Sequence, residues 1–466
     1  MLTLYPFQER ACAEVLSRWC EAKEGCLVAP TGAGKTAMGA GLIRKALSYG
    51  KRSLFLTHTR DLVEQSARAL HSYLGEPVGI VMAGHRPSEA MVQVASLQTL
   101  IERSSRPPAD VVFHDECHHM LAREFGQVAA DYRGALQLGM TATPERADGL
   151  PLGDRYRWLI VAASYSELLG LGRLVPARVY RPQGLLKGLA DDPVSAYLQW
   201  GEGRSGFVYV KTVAEARTLA DTFTLRGVPA ACVDFESPDR DERINDLRDG
   251  RLRLLVNVYT LTEGVDVPSA SLCILARGVG HVSIFLQMVG RVLRSAPGKT
   301  DAIVLDLPGV THDYGLPTED RDYALTGDGI RRRIGAPPVK CCQKCGLSFL
   351  AQTECPRCGF RLPEKKVRIY GVPLSPAEAQ ALPDDVKRDE WARLQATAAS
   401  RGYSDAWAIR VYREKFGERP VRFSEERRQA EYQALKAKAA ELGYSPGWAA
   451  YRYKATYGAM PPRAWS

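Results

Sequence analysis

The sequence has 466 residues, of which 45% are hydrophobic and 25% charged, and its formal net charge is +9. These fractions are those of an ordinary globular protein, and the length predicts about three domains. No apolar run approaches the roughly 18–20 residues that cross a bilayer, and the N-terminus lacks a basic segment followed by an apolar core. The composition therefore excludes a membrane-spanning protein and predicts a cytoplasmic one.

Short apolar runs alternate with helical patterns over residues 1–337, as is typical of parallel α/β domains. The predicted strands are residues 26–28, 53–57, 92–96, 111–115, 137–141, 207–210, 230–234, 254–258, 272–275 and 302–306. We predict one α/β domain over residues 1–168 and a second over residues 169–337. A hinge is expected at the Gly-Leu-Gly sequence of residues 170–172.

The first predicted strand leads into a glycine-rich turn, and a helix over residues 37–46 follows. Residues 29–36 read Ala-Pro-Thr-Gly-Ala-Gly-Lys-Thr, a pattern that predicts a phosphate-binding loop, although the general motif has glycine where Ala29 stands. The ammonium of Lys35 would reach the outer phosphates, and the hydroxyl of Thr36 would bind Mg²⁺. The predicted nucleotide-binding residues of this loop are Thr31, Gly32, Ala33, Gly34, Lys35 and Thr36.

The predicted strand at residues 111–115 ends in two adjacent carboxylates, Asp115 and Glu116. Alone, this pair would be read as the solvated end of a strand. After a phosphate loop, it is better explained as the two acids of a nucleotide hydrolase. Asp115 would hold Mg²⁺ together with Thr36, and Glu116 would orient and activate the attacking water.

The predicted helix near residue 290 carries a second set of candidate phosphate-binding side chains, which includes two arginines. Gln287, Arg291 and Arg294 have the spacing i, i+4 and i+7, which predicts that they share one helix face. Guanidinium groups match phosphate oxygens well, so a nucleotide held by the other domain is a suitable partner. A solvated basic face is the alternative for an isolated arginine pair.

Five of the eleven cysteines fall between positions 341 and 358. Two Cys-x-x-Cys pairs, each followed by glycine, predict a zinc ribbon over residues 338–362. The predicted ligands are Cys342, Cys345, Cys355 and Cys358, with Cys341 as a spare that could replace Cys342. A disulfide pair is the alternative, and a reducing cytosol disfavours it. Because about twenty residues bury little core, the metal is expected to supply most of the folding energy.

The segment 363–386 contains four prolines and is predicted to be a linker. Beyond it, residues 387–466 contain a repeat of 41 residues that predicts two tandem helical hairpins. The repeated residues are Gly402, Tyr403, Ser404, Trp407, Ala408, Tyr412, Gly417 and Pro420, with Gly443, Tyr444, Ser445, Trp448, Ala449, Tyr453, Gly458 and Pro461 as their counterparts.

The whole positive charge lies in this C-terminal part. Residues 339–466 carry 23 basic and 14 acidic side chains, so the preceding 338 residues are electrically neutral. Trp407 and Trp448 are interpreted first as core residues of the hairpins. A grip on DNA by Arg410, Tyr412, Arg413 and Lys415 is a second hypothesis, and a protein-docking module is a third.

The order of these motifs resembles that of the superfamily 2 helicases of the DExH type. The motif around Gln8 (Tyr-Pro-Phe-Gln, residues 5–8) resembles the adenine-reading motif, although Tyr5 replaces a frequent arginine. Other matching segments are residues 29–36, 57–65, 95–100, 115–118, 141–144, 260–268 and 287–294. The resemblance implies two RecA-like lobes that face each other across an ATP-binding cleft, with Arg291 and Arg294 as arginine fingers.

The resemblance also implies further site residues. Gly264 and Asp266 would bind the nucleotide, and the segment 141–144 would couple it to the strand site. The implied contacts to a nucleic-acid backbone are Thr57, Thr59, Arg60, Gln98, Thr99 and Thr262.

Residues 1–316 resemble most closely the bacterial RadD-type and prophage DNA helicases. That branch implies work in DNA repair, recombination or replication on single-stranded or forked DNA. It also implies contact with single-strand-binding protein or a recombinase. The alternatives are a DNA-stimulated ATPase that remodels protein–DNA complexes without separating strands, an RNA helicase, and a binding protein whose motor is vestigial.

Overall fold

The computed structural model contains two compact units, Met1–Pro363 and Glu364–Ser466. It describes residues 3–86, 88–103, 105–119, 124–145, 150–181, 192–234, 237–258, 265–326, 330–333, 335–350, 352–362, 384–401, 405–416, 421–441, 447–457, 460–462 and 465. Within these ranges, no helix combines the length and the apolar character that crossing a membrane requires.

The first lobe is a parallel sheet covered by helices on both faces. Its strands are β1 (Glu24–Val28), β2 (Ser53–Thr57), β3 (Val78–Val81), β4 (Val92–Ser96), β5 (Val111–Asp115), β6 (Leu136–Thr141) and β7 (Trp158–Val161). Its helices are α1 (Pro6–Arg18), α2 (Lys35–Leu47), α3 (Arg60–Leu74), α4 (Leu97–Glu102), α5 (Glu124–Asp131) and α6 (Tyr165–Gly170). The strand order is β3-β4-β2-β5-β6-β1-β7, and every neighbouring pair is parallel.

The central strands of this sheet are buried along their whole length, which explains their continuous apolar sequences. Alternate residues of β2 face opposite sides. Phe55 joins the core that includes α2 and α3, whereas Leu54 and Leu56 join the core that includes α4 and α5. Because all seven strands are parallel, their carboxyl ends meet at one edge of the sheet.

The second lobe repeats this architecture. Its parallel strands are β8 (Ala177–Tyr180), β9 (Gly206–Tyr209), β10 (Ala230–Cys232), β11 (Leu254–Asn257), β12 (Leu272–Leu275) and β13 (Ala302–Asp306). Its helices are α7 (Pro193–Trp200), α8 (Val213–Leu225), α9 (Arg240–Arg248), α10 (Val282–Leu293) and α11 (Val310–Tyr314). The parallel strands lie in the order β10-β11-β9-β12-β13-β8.

A short hairpin, β14 (Arg321–Tyr323) and β15 (Ile330–Arg332), follows the second lobe and reaches back to the first. The Asp320 carboxylate accepts hydrogen bonds from the backbone N–H of Ser166 at 2.9 Å and from its hydroxyl at 2.7 Å. The carbonyl of Leu325 accepts a hydrogen bond from the N–H of Gly153 at 2.8 Å. This segment, residues 316–326 and 330–333, is called the strap below, and it connects the second lobe to the first.

The cysteine-rich segment continues the second sheet. Its hairpin, β16 (Val339–Cys341) and β17 (Leu347–Leu350), adds two antiparallel strands beside β8. Leu347 and Phe349 are buried in the core of the second lobe. The expectation of a ribbon with almost no core is therefore corrected, because the lobe supplies the core that the short segment lacks.

The second compact unit contains four helices, α12 (Asp384–Arg401), α13 (Asp405–Phe416), α14 (Val421–Glu441) and α15 (Gly447–Tyr457). Helix α12 packs on α13 and α14 packs on α15, so the two repeats are two hairpins. Each hairpin has its own small core, one around Trp391 and Tyr412 and the other around Tyr432 and Tyr453.

The predicted fold class is confirmed: two parallel α/β lobes are followed by the cysteine-rich ribbon and C-terminal helices. All predicted strands occur, whereas β3, β7 and β8 of the two parallel sheets and the hairpin strands β14 to β17 were not predicted. Most of the predicted linker lies outside the described residues, although α12 already begins at Asp384. The predicted domain limits at residues 168, 337, 362 and 386 stay predictions.

Candidate nucleotide-binding cleft

The predicted phosphate loop connects β1 to α2. Gly32 and Gly34 have φ values of +88° and +78°, a left-handed conformation that side chains rarely adopt. Gly34 is the N-cap of α2, so the unpaired N–H groups of the first helical turn point into the loop. The backbone therefore has the form that an anion-binding loop requires.

Gln8 is hydrogen-bonded to the backbone of this loop. Its side chain is 3% exposed, and its amide donates to the carbonyl of Ala33 at 2.8 Å. Its amide oxygen accepts a hydrogen bond from the N–H of Tyr5 at 3.0 Å. One amide hydrogen and one lone pair remain, so the predicted adenine-reading role of Gln8 stays compatible with this position.

The two predicted acids lie at the carboxyl end of β5, facing the loop. Asp115 is 9% exposed and accepts a hydrogen bond from the N–H of Glu116 at 3.1 Å. Glu116 has a φ of +47°, which is uncommon for a residue with a side chain. Its carboxylate forms an ion pair with the ammonium of Lys35. In this structure the two catalytic candidates thus neutralise each other's charge.

A buried polar chain runs from Glu116 to the second lobe. The His118 ring lies 3.5 Å from the Glu116 carboxylate through Nδ1 and 2.8 Å from the hydroxyl of Thr141. Its Nε2 lies 2.9 Å from the amide nitrogen of Gln287, which also donates to the hydroxyl of Thr143 at 3.2 Å. Sequence reasoning did not single out His118, although its position two residues after Glu116 was the available signal.

Helix α10 of the second lobe packs directly on the phosphate loop. A Cβ atom at Gly290 would lie 2.7 Å from the Thr31 hydroxyl, so only glycine fits there. Arg291 donates to the carbonyl of Val265 at 3.0 Å, and Arg294 forms an ion pair with Asp266. The prediction that Arg294 lies on the helix face is wrong, because α10 ends at Leu293 and Arg294 has extended backbone angles.

The loop, the acids and α10 enclose one cavity of about 470 Å³. Its lining includes Thr31, Gly32, Gly34, Lys35, Thr36, Asp115, Glu116, Asp266, Gln287, Arg291 and Arg294. A cavity of this size suits a nucleotide. Ala33 is buried behind it, and Gly264 lies outside the described residues.

Arg173 also lines the cavity and was not predicted. Its guanidinium lies 4.6 Å from the centre of the Tyr5 ring, and its Nη1 donates to the Tyr5 hydroxyl at 2.8 Å. The arginine comes from the segment that enters the second lobe. The Arg173 guanidinium and the Tyr5 ring, which lies beside Gln8, together form a planar surface suited to stacking. No sequence signal marked Arg173.

A buried cluster supports the acids from behind. The His114 ring lies 2.9 Å from the Tyr156 hydroxyl, and both side chains are fully buried. Burial, assisted by the charge of Arg155, lowers the pKa of His114 well below its usual range, so its ring stays neutral. Burial likewise raises the pKa of the Cys117 thiol. Leu325 of the strap packs against this cluster, which links the strap to the strand end that carries the acids.

The predicted strand-contacting residues lie at the ends of β2 and β4, which are neighbours in the sheet. Thr57 is fully buried, so its side chain has no exposed surface for a nucleic acid. The hydroxyl of Thr59 caps α3, and Arg60 follows it on the surface. Gln98 is exposed and Thr99 half-buried on α4. Thr262 lies outside the described residues.

The four predicted zinc ligands converge. The sulfur atoms of Cys342, Cys345, Cys355 and Cys358 all lie within 4.8 Å of one another. The sulfur of Cys342 also accepts a hydrogen bond from the N–H of Lys344 at 3.4 Å. The spare, Cys341, instead contacts the carbonyls of Arg181 and Gly346. Four clustered thiols on two knuckles fit a tetrahedral Zn²⁺ site.

Two family models match the chain. Residues 1–146 match the "Type III restriction enzyme, res subunit" family, and residues 192–296 match the "Helicase conserved C-terminal domain". The two matches fall on the first and second lobes, respectively.

Curated relatives agree with these matches. A "51.5 kDa protein" of Lactococcus phage (isolate 7-9) is 27% identical over 369 residues, covering 73% of this chain and 79% of that protein. The "DNA 3'-5' translocase XPB2" of Sulfurisphaera tokodaii is 26% identical over 379 residues, covering 66% and 83% of the two chains.

Solved structures share the fold. A fragment of a putative HsdR subunit of a type I restriction enzyme from Vibrio vulnificus YJ016 has a TM-score of 0.53 at 20% identity, covering 67% of this chain and 65% of that one. The type ISP restriction-modification enzyme LlaBIII has a TM-score of 0.51 at 16% identity, covering 66% and 28%. The two matches give the chain the two helicase domains found in superfamily 2 helicases, and such domains use ATP and Mg²⁺.

Proposed function

We propose that this protein couples ATP hydrolysis to movement along DNA, in repair, recombination or replication. The proposal rests on one observation: the two lobes form opposite walls of the cleft. Lys35 and Glu116 lie on the wall from the first lobe, and Arg291 and Arg294 lie on the wall from the second. A polyphosphate held by both walls draws the lobes together, and hydrolysis releases them.

The residues of the cleft would share the work as follows. Lys35 and the N–H groups at the start of α2 would bind the phosphates, and Thr36 and Asp115 would hold Mg²⁺, which neutralises charge on the phosphate oxygens. Glu116 would orient the attacking water once the phosphates draw Lys35 away from it. The Arg291 guanidinium would then leave the Val265 carbonyl and stabilise the negative charge that develops on the outer phosphate.

DNA is the proposed track because a relative that covers most of this chain is named a DNA translocase. Thr59, Arg60, Gln98 and Thr99 are the accessible candidates for contact with its sugar-phosphate backbone. Such contacts would be tolerant of sequence. The RadD-type assignment, the cytoplasmic location and a partnership with single-strand-binding protein or a recombinase stay predictions.

The four-cysteine cluster is proposed to bind one structural Zn²⁺. Its thiols are close enough for a single tetrahedral ion, and the ribbon is continuous with the sheet of the second lobe. Purified protein should contain one zinc per chain by atomic absorption. The double variant Cys355→Ser/Cys358→Ser should contain none, whereas Cys341→Ser should retain the ion. Zinc-free wild type would exclude the site.

The motor is tested by ATP hydrolysis alone and with single-stranded DNA, duplex DNA or single-stranded RNA, with Lys35→Ala as the blank. Stimulation by DNA and not by RNA supports the proposal. Stimulation by RNA alone would replace it with an RNA helicase, and no hydrolysis under any condition would leave only the binding functions of the C-terminal part.

A second function, remodelling of protein–DNA complexes without strand separation, is favoured by the same relative, which is named a translocase. A forked duplex with a fluorescent strand, with and without a bound protein block, discriminates between the two. Release of the block without release of the strand identifies remodelling.

A further inference from the structure

The internal repeat allows the two hairpins to be compared position by position. Equivalent residues 41 positions apart build the two cores: Leu394, Ala398, Ala408 and Tyr412 in the first hairpin, and Leu435, Ala439, Ala449 and Tyr453 in the second. Such identity is explained by packing. A repeated residue outside the core needs another explanation.

Trp407 and Trp448 are repeated residues whose side chains are only partly buried, so packing explains their repetition only in part. Each precedes the core alanine of its helix by one position, and each is only half-buried at the edge of the core. The centres of the cores are formed instead by Trp391 with Tyr412 and by Tyr432 with Tyr453, in edge-to-face contact. The two tryptophans pack against these cores, as their interpretation as core residues predicts, but part of each side chain stays exposed.

An exposed arginine lies one turn beyond each of these tryptophans. Arg410 follows Trp407 by three residues, and Arg452 follows Trp448 by four, so each pair shares a helix face. The guanidinium of Arg452 lies 5.7 Å from the Trp448 ring centre. Both hairpins thus present an aromatic ring with a neighbouring cation on their second helix.

Charge distinguishes the second helix of each hairpin from the first. Helix α12 carries four basic and four acidic side chains, and α14 carries five basic and four acidic ones. Helix α13 carries three basic and two acidic side chains, and α15 carries two basic and no acidic ones. In each hairpin, the helix that carries the half-buried tryptophan thus has one more net positive charge than its partner helix.

We propose that α13 and α15 form a repeated binding surface for single-stranded DNA, an inference that rests on DNA as the motor's substrate. An arginine would bind a phosphate on each hairpin, and an unpaired base would stack on the exposed part of each tryptophan ring. Because the two sites are linked in one chain, occupying the first raises the effective concentration of DNA at the second.

The test measures the dissociation constant of the full-length protein for a fluorescent oligothymidylate by anisotropy, over a series of salt concentrations. The double variant Arg410→Gln/Arg452→Gln should bind about tenfold more weakly, and its log–log salt slope should fall by about 1.4, since each phosphate contact on a single strand contributes about 0.7. Each single variant should already show most of the affinity loss of the double variant, because DNA bound at one site raises its effective concentration at the other.

The matched control is Arg388→Gln/Lys438→Gln, which removes the same charge from exposed positions on the first helices. It should keep the affinity of the wild type. Equal losses in both double variants, or an affinity within twofold of the wild type in Arg410→Gln/Arg452→Gln, would overturn the proposal. Preferential loss of duplex binding would also overturn it. Because this readout needs no ATP, it remains informative if the wild type lacks DNA-stimulated hydrolysis.

Discussion

Replacing Gly290 with alanine should reduce catalysis. Gly290 lies inside α10, where alanine favours the helix over glycine by about 1 kcal/mol. The added Cβ would, however, lie 2.7 Å from the Thr31 hydroxyl and 2.9 Å from its Cβ. Carbon atoms pack at about 3.5 Å or more, so α10 and the phosphate loop would have to separate by about 0.5 Å.

That separation displaces Arg291, the next residue, from the cleft. Misplacement of a catalytic group by about 1 Å can cost about a hundredfold in rate, so we expect kcat to fall about tenfold or more. A tenfold loss corresponds to about 1.4 kcal/mol of barrier height. The Michaelis constant for ATP should change little, because the phosphate loop and Lys35 belong to the first lobe.

The assay compares DNA-stimulated ATP hydrolysis and thermal unfolding for Gly290→Ala and for Gly280→Ala. Gly280 precedes the same helix, and a Cβ there would meet no atom within 4 Å. The control should keep its activity. A kcat within twofold of the wild type in Gly290→Ala would refute the packing argument.

Three further predictions concern the ribbon, the polar chain and the strap. A chelator or Cys355→Ser should remove zinc and lower the melting temperature while the buried hairpin keeps part of its structure, as checked by calorimetry and hydrogen exchange. Gln287→Ala should leave hydrolysis without DNA nearly unchanged and reduce its stimulation by DNA, because the chain from Glu116 through His118 to the second lobe is cut. Asp320→Ala should destabilise the protein by about 0.5–1.5 kcal/mol in urea unfolding, since two exposed hydrogen bonds from Ser166 are lost and water can replace the acceptor.

The two parallel sheets could be predicted from the sequence because their strands are buried on both faces. A strand such as β5 is then a continuous apolar run, and the loop and the acids follow such runs directly. Strand β8 was missed because Arg178 interrupts its apolar pattern, whereas β7 was missed although its four residues are all apolar. Their place in the sheets is decided by pairing with β1 and β13.

The sequence predicted most of the residues that line the cleft but fewer details of how they are arranged. The end of α10 before Arg294, the burial of Thr57 and the cation at Arg173 depend on contacts between segments that are far apart in sequence. The ribbon was interpreted as a separate unit for the same reason, since its pairing with β8 joins residues more than 160 positions apart. Local patterns specify elements and motifs, whereas these features arise only when the lobes pack.

The most direct test of the central claim is ATP binding and hydrolysis by Glu116→Gln beside Lys35→Ala, with DNA binding measured on both. The account predicts that neither variant hydrolyses ATP and that both bind DNA. It also predicts that Glu116→Gln binds ATP at least as tightly as the wild type, because the amide releases Lys35 from its ion pair. Retained hydrolysis in both variants would contradict the assignment of the cleft.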